Sequence, residues 1–168
     1  MARLLIGLSI ACLFFAACDS GTEVPDGFTE AESDPVTFAH PEDWSEGSPA
    51  GGAQLQIEAS EGATTGVQVF VDDEEGGDTA ARATALAAEL RTSVEDFEVI
   101  EQAEAEVDGA ESATLLEYSF TTPDGTAHSW DVLAEGPDGD QIIFRVAGNE
   151  DDLSEETATQ ILDTLSFE

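Results

Sequence analysis

Hydrophobic and polar residues alternate in several segments of the chain, and this period of two predicts β-strands. Residues 53–59 and 67–71 are joined by a glycine-containing turn and together predict a hairpin. Three further segments with strand patterns follow one another, with Pro-Asp-Gly turns between them: residues 113–121, 127–134 and 141–147. Proline presets φ and glycine accepts a positive φ in such turns, so we expect these three segments to form an antiparallel meander.

Two other segments repeat their apolar residues every three or four positions, which predicts helices. The first is residues 79–94, where Asp78 or Thr79 can provide the N-terminal cap, and the second is residues 155–165, preceded by Ser154. The apolar residues at helical spacing are Ala83, Leu86, Ala87, Leu90 and Val94 in the first helix, and Ala158, Ile161, Leu162 and Leu165 in the second.

The order of these elements predicts the fold class. Residues 36–39 and 97–107 add two weaker strand patterns, one near the start of the domain and one after the first helix. Runs of consecutive strands with a few packed helices indicate an α+β fold. We therefore expect one α+β domain over residues 34–168, with an antiparallel sheet of about six to seven strands flanked by two main helices. Residues 18–33 are polar and turn-rich, and predict a flexible acidic tether.

The N-terminal residues have the plan of a secretory signal peptide. Arg3 is followed by an apolar run over residues 4–15 and then by two alanines. The run is shorter than the roughly 20 apolar residues that a membrane-spanning helix needs. We therefore expect residues 1–17 to be removed as a signal.

Cys18 follows the expected cleavage site. Phe15-Ala16-Ala17-Cys18 resembles the lipobox of bacterial lipoproteins, although Phe15 stands where that motif usually has leucine. The resemblance implies a lipidated (diacylglyceryl- and palmitate-bearing) Cys18 that anchors the chain to the extracytoplasmic face of the cell membrane. Two alternatives remain: an ordinary secreted protein with a free Cys18 thiol, or lipidation at Cys12, which would leave a very short apolar segment before it.

Acidic residues dominate the composition. The chain has 38 aspartates and glutamates against four basic residues, all arginine, for a formal net charge of −34 at pH 7. This excess argues against nucleic acid as a partner, because phosphate contacts need lysine and arginine. It also argues against docking on anionic lipid headgroups through a basic patch. The acids are spread along the chain, which is typical of a solvated surface adapted to salt. Capture of a cationic ligand or a basic partner is the alternative.

Several short segments resemble the PsbP-like group of small domains, which includes the LpqN-type lipoproteins of actinobacteria. The resemblance spans about residues 33–168 and implies an antiparallel sheet flanked by helices, in a group of mostly non-enzymatic binding or assembly factors. The segments are Phe38-Ala39-His40-Pro41-Glu42-Asp43-Trp44, similar to the group's opening F-x-x-P-x-x-W, the junction near Asp78, Tyr118-Ser119-Phe120, and Ile161-Leu162-Asp163-Thr164-Leu165-Ser166-Phe167.

Residues suited to nucleophilic or zinc chemistry are few. The two histidines, His40 and His128, lie at predicted strand ends, and the chain has no Gly-x-Ser-x-Gly motif for a catalytic serine. No cysteine would remain in the domain to join them as zinc ligands. We therefore expect both histidines to be edge or surface residues.

The acidic runs at residues 72–78 and 150–152 could attract Ca²⁺, but neither has the ligand spacing of an EF-hand loop. Carboxylate pairs for glycoside hydrolysis would need aromatic platforms, for which Trp44, Trp130 and Tyr118 are the candidates, with Trp44 expected in the core. We expect no catalytic residue, no metal site and no cofactor.

Two hypotheses for the function follow. The first is a non-enzymatic binding, assembly or scaffold protein of the cell envelope, with the membrane contacted through lipid on Cys18 and with an envelope protein as partner. The second is a carrier of a small apolar or lipidic ligand held between sheet and helix. A sizeable apolar cavity would favour the carrier, and a large exposed apolar patch would favour a protein partner.

Overall fold

Two antiparallel sheets and two helices form the domain in the computed structural model, which describes residues 23–72 and 77–168. The strands are β1 (Phe28–Ser33), β2 (Val36–Pro41), β3 (Ser45–Glu46), β4 (Leu55–Glu58), β5 (Gly66–Asp72), β6 (Glu95–Glu104), β7 (Ser112–Thr122), β8 (Gly125–Glu135), β9 (Gln141–Asn149) and β10 (Ser166–Phe167). The helices are α1 (Thr79–Ser93) and α2 (Glu155–Leu162). The predicted signal peptide, Cys18 and part of the first acidic run lie outside the described residues.

The larger sheet has seven strands in the order β3-β4-β5-β9-β8-β7-β6. It confirms the predicted hairpin, since β4 pairs with β5 from Leu55↔Val69 onward. It also confirms the predicted meander, in which β7 pairs with β8 and β8 with β9 along nearly their whole lengths. Gly125, with φ of 130°, lies in the turn between β7 and β8, as the Pro-Asp-Gly pattern predicts. The predicted α+β class is therefore correct.

The smaller sheet, with the order β1-β2-β10, contains a strand that the sequence analysis missed. Residues 28–33 were expected to belong to the flexible tether, and this expectation is wrong. These six residues pair in register with β2, from Phe28↔Pro41 to Ser33↔Val36. Phe28 packs against the core while most of its polar neighbours face solvent. The packing of this one aromatic residue, together with the backbone hydrogen bonds to β2, therefore keeps a largely polar segment in a defined strand.

Both helices have the predicted N-terminal caps. The side chain of Asp78 accepts hydrogen bonds from the backbone N–H groups of Ala80 (2.9 Å) and Ala81 (3.3 Å) at the start of α1. Ser154 Oγ accepts one from Thr157 N (3.1 Å) at the start of α2. Helix α2 ends at Leu162, earlier than predicted, where the chain tightens into hydrogen-bonded turns that lead into β10.

The two faces of the larger sheet are covered differently. One face packs against the smaller sheet and α2, with Phe38 of β2 in edge-to-face contact with Phe144 of β9 at 4.9 Å between ring centroids. The other face is covered by α1, whose Ala83 and Ala87 are buried over β6, β7 and β8. On this second face α1 does not extend over β4, β5 and the adjoining part of β9, which leaves room for a site.

Candidate functional site

A pocket of about 280 Å³ occupies the part of the larger sheet that α1 does not cover. We call it the open-face pocket. Its floor comes from five neighbouring strands, β4, β5, β9, β8 and β7, and the loops on either side of β4 form its rim. The residues that define it are Gln56, Gln68, Tyr118, Ser129, Arg145 and Ala147.

Strand register brings polar side chains into one row across this floor. Gln56 of β4 lies directly opposite Gln68 of β5, and Gln68 lies opposite Arg145 of β9. Arg145 in turn lies opposite Asp131 of β8. Directly opposed residues on one face of an antiparallel sheet are close enough for their side chains to interact. The row therefore carries polar groups across four strands of a sheet that is otherwise largely apolar.

Asp131 and Arg145 form the centre of the row. Arg145 donates from Nε to Asp131 Oδ1 at 2.9 Å and from Nη2 to Asp131 Oδ2 at 2.6 Å, a bidentate pair. The side chain of Asp131 is fully buried, whereas that of Arg145 is 23% exposed. The guanidinium also lies over the ring of Phe70, 5.5 Å from its centroid. The buried carboxylate of Asp131 thus holds the guanidinium of Arg145 in place, and the exposed part of the guanidinium faces the pocket.

Two hydroxyl groups complete the coordination of the Asp131 carboxylate. Ser129 Oγ donates to Oδ1 at 2.9 Å, and Tyr118 Oη donates to Oδ2 at 3.3 Å. Burial, followed by the negative charge of Asp131, raises the pKa of Tyr118 to about 12. Burial alone would lower the pKa of Arg145, but its hydrogen bonds to Asp131 and the charge of Asp131 more than offset this, and the pKa lies above its ordinary value.

This arrangement is suited to binding rather than to proton transfer. The carboxylate of Asp131 already accepts four hydrogen bonds, so it has little capacity left to act as a base. The Ser129 hydroxyl donates to that carboxylate and is not aligned with a histidine. Arg145 and Asp131 neutralise one another, and the remaining charged group of the pocket lining is Glu58, whose carboxylate accepts a hydrogen bond from Gln56 Nε2 at 2.6 Å.

The two histidines do not enter the pocket. His40 was expected at an edge or on the surface, but it is 5% exposed, and its Nδ1 donates to the backbone oxygen of Pro41 at 2.9 Å. His128 stacks on Trp130 with ring centroids 4.0 Å apart, on the opposite face of the sheet. Its Nε2 lies 2.9 Å from Glu117 Oε1, without the alignment of a hydrogen bond. The expectation for His40 is therefore wrong, because its ring is buried, with its centroid 6.2 Å from that of Phe38.

The acidic runs do not form a cation site within the part of the chain that the structure describes. Asp78 is the N-terminal cap of α1, and Asp72 lies 3.5 Å from the guanidinium of Arg82. Residues 150–152 form an exposed turn after β9. Among residues 23–72 and 77–168, no group of three or more histidine, cysteine or acidic side chains is arranged to hold a metal ion.

The aromatic residues considered as sugar platforms lie largely inside the protein. Tyr118 is 2% exposed and Trp130 is 5% exposed, and both belong to hydrophobic clusters. Trp44 is half-buried against the main core, close to its expected position. None of the three presents an open ring face of the kind that stacks on a sugar.

The Asp131–Arg145 pair was not predicted from the sequence. A signal for it exists in the sequence: Asp131 is the one acid within the apolar run Trp130–Ala134, and Arg145 is the one basic residue within the apolar strand that follows. Charged residues are almost never fully buried unless they are paired. Two opposite charges inside neighbouring apolar strands could therefore have been predicted to meet, although 38 acids in the chain conceal the one that matters.

Comparisons with known proteins support the fold. No family model matches the chain, and no curated protein matches it. LpqN of Mycobacterium tuberculosis, a protein described as involved in cell envelope biogenesis, has a TM-score of 0.54 at 14% identity, over 83% of this chain and 89% of that chain. A Pseudomonas aeruginosa protein of unknown function, PA94, has a TM-score of 0.45 at 16% identity, over 80% of this chain and 95% of that one. The chain thus has an LpqN-like fold. Among the described residues, no helix combines the length and apolar character needed to cross a membrane.

Proposed function

We propose that this protein is a non-enzymatic binding protein of the cell envelope, held on the extracytoplasmic face of the membrane by lipid on Cys18. Support for the location comes from the signal-like N-terminal segment and from the lipobox resemblance at residues 15–18. The fold is shared with LpqN, which is described as involved in cell envelope biogenesis. The strongly acidic body is unsuited to adhering to an anionic membrane by charge, so an attachment would have to come from lipid.

The observation that carries the binding role is the open-face pocket with the Asp131–Arg145 pair at its floor. Arg145 is held rigidly by a fully buried carboxylate, and rigid polar groups in a concave site lower the cost of binding a partner. The same hydrogen bonds occupy the groups that catalysis would require to be free. We therefore assign this pocket a recognition role and no catalytic one.

A protein partner is favoured over a small apolar or lipidic ligand. A lipid carrier needs an enclosed apolar cavity large enough for its cargo. The open-face pocket holds about 280 Å³ and has amides, hydroxyls and a guanidinium on its floor. A polar side chain or an exposed backbone segment of a protein could use the hydrogen-bonding capacity that Arg145 and Gln68 keep beyond their bonds within the domain, whereas an acyl chain would only remove these groups from water.

The anchor is tested by replacing the cysteine. A Cys18→Ser variant should lose labelling by a palmitate analogue and should move from the membrane fraction to the soluble fraction. Its domain should stay folded, because residue 18 precedes the first strand at Phe28. A matched Cys12→Ser variant should remain lipidated and in the membrane. Continued sedimentation of the Cys18→Ser protein with membranes would contradict the anchor.

The binding role is tested in intact cells with a photo-crosslinking amino acid. Placed at Gln68, on the pocket floor, it should form a discrete adduct with an envelope protein. Placed at Asp138, an exposed position in the turn between β8 and β9, it should not form that adduct. A lipid adduct at Gln68 would instead support the carrier function, and identical adducts from both positions would contradict a role for the pocket.

A further inference from the structure

The outer edge of β6 is the longest unpaired strand edge of the larger sheet. β6 spans ten residues, Glu95–Glu104, and pairs with β7 on one side only. Within residues 23–72 and 77–168, no strand pairs with its other side. An edge of this kind presents backbone N–H and C=O groups to which another chain can add a strand.

The two halves of β6 differ in their suitability for such pairing. Its register with β7 is interrupted between Glu95 and Glu98 and again between Val99 and Glu101. Bulges of this type twist an edge and discourage pairing. From Glu101 to Glu104 the register is regular, and Ala105 continues it with a hydrogen bond from its N–H to Ala113 O at 3.0 Å. Residues 101–106 therefore form the usable part of the edge.

The charge along this edge selects the occupant. Glu101, Glu104 and Glu106 are all exposed, and β6 contains no basic residue. A second copy of this chain would bring the same carboxylates to the edge and would be repelled. An extended segment rich in lysine or arginine would be attracted, because opposite charges on neighbouring strands stabilise their pairing. Ile100, 52% exposed just before this stretch, adds an apolar contact.

A groove lies beside the same stretch, and Glu104 and Glu106 are part of its lining. Its volume is about 770 Å³, and it is lined by the end of β6, the hairpin that leads to β7 and the start of α1. Small side chains, including those of Ala80, Ala103 and Ala105, form part of its wall. The groove has room for side chains of an added strand that point toward the domain.

We propose that residues 101–106 bind an extended basic segment of a partner protein by β-strand addition. The main-chain hydrogen bonds of the edge hold the segment. Glu104 and Glu106 share one face of the strand and select lysine or arginine at alternating positions, while Glu101 lies on the other face and attracts a basic residue there. This surface is separate from the open-face pocket and from Cys18, so its test does not depend on either.

The first test uses a short synthetic peptide of alternating lysine and threonine as the probe. A control peptide has the same sequence with every second backbone nitrogen methylated. The methylation keeps the charge of the lysine side chains and removes the backbone N–H donors that β-strand addition needs. With full-length protein in an uncharged detergent, the unmethylated peptide should bind at least tenfold more tightly, about 1.4 kcal/mol. Amide hydrogen exchange should slow at residues 101–106. Equal affinity of the two peptides would overturn the proposal, since charge alone would then explain the binding.

The second test uses matched protein variants. E101Q/E104Q/E106Q should weaken binding of the lysine–threonine peptide roughly tenfold. The control E61Q/D138N/D151N removes the same number of carboxylates from exposed turns and should leave the affinity within about twofold. Equal losses in both variants, slowed exchange outside β6, or a dimer that forms through β6 would each overturn the assignment.

Discussion

Separating the two charges of the buried pair provides the most direct test of the site. We consider Asp131→Leu, Arg145→Met and the double variant, which together form a thermodynamic cycle. Removal of one partner of a buried ion pair costs about 3–5 kcal/mol, because the other charge is left without compensation. Replacement of both by apolar side chains is often close to neutral.

The exposures of the two side chains give different expected costs for the single variants. Arg145 is 23% exposed, so its uncompensated charge can still reach water, and Asp131→Leu should cost about 3 kcal/mol. Asp131 is 0% exposed, so Arg145→Met leaves a charge with no access to water and should cost about 5 kcal/mol. The double variant should cost about 2–4 kcal/mol, because the buried hydroxyls of Ser129 and Tyr118 both lose their acceptor. The coupling energy, which is the sum of the single costs minus the cost of the double variant, should thus be about 4–6 kcal/mol, a large share of the roughly 5–15 kcal/mol that stabilises a domain.

The free energy of unfolding is measured by urea denaturation at fixed salt, followed by circular dichroism and by tryptophan fluorescence. Two exposed substitutions, Asp138→Asn and Arg91→Met, control for the change in net charge and should shift the free energy by less than about 1 kcal/mol. If the cost of the double variant equalled the sum of the single costs, Asp131 and Arg145 would not act as a pair and the reasoning would be refuted.

Two further predictions concern pH and salt. The pKa of Tyr118 is raised to about 12 in the folded protein, so its contribution to stability is complete below the unfolded pKa near 10 and is lost as pH rises toward 12, by about 1.4 kcal/mol per pH unit. Tyr118→Phe should reduce the alkaline loss of stability measured by urea denaturation, and an unchanged loss would refute this assignment. The melting temperature should rise with added sodium chloride, because salt screens the repulsion within a chain of net charge −34; a flat scanning-calorimetry response would contradict that view.

Much of the fold could be predicted from alternation and helical spacing. The hairpin of β4 and β5, the meander of β7 to β9 and both helix caps were predicted because each depends on residues close together in the sequence. β1 was missed because the composition of residues 28–33 is polar, which is typical of a flexible segment. Its strand structure comes from pairing with β2, and composition alone does not reveal a pairing partner. The shorter α2 was missed for a similar reason, since the apolar spacing continues to Leu165 after the helix has ended.

The candidate site was harder to predict than the fold. The row from Gln56 to Asp131 depends on the register of four strands and on a strand order in which β9 lies between β5 and β8. Neither the register nor this order is encoded in any short segment. Asp131 differs from the other, solvated carboxylates in that its side chain is buried, and this burial would have to be known before the residue could be singled out from the sequence.

The early start of β1 limits where the domain can act if Cys18 carries the lipid. Only the residues between Cys18 and the hydrogen-bonded turn that begins at Pro25 then connect the bilayer to the folded body, and they span about 25 Å at full extension. The folded domain would therefore stay within about its own width of the lipid surface. Partners embedded in the same leaflet would meet it at an effective concentration on the order of millimolar, whereas those across a wide compartment would lie out of reach.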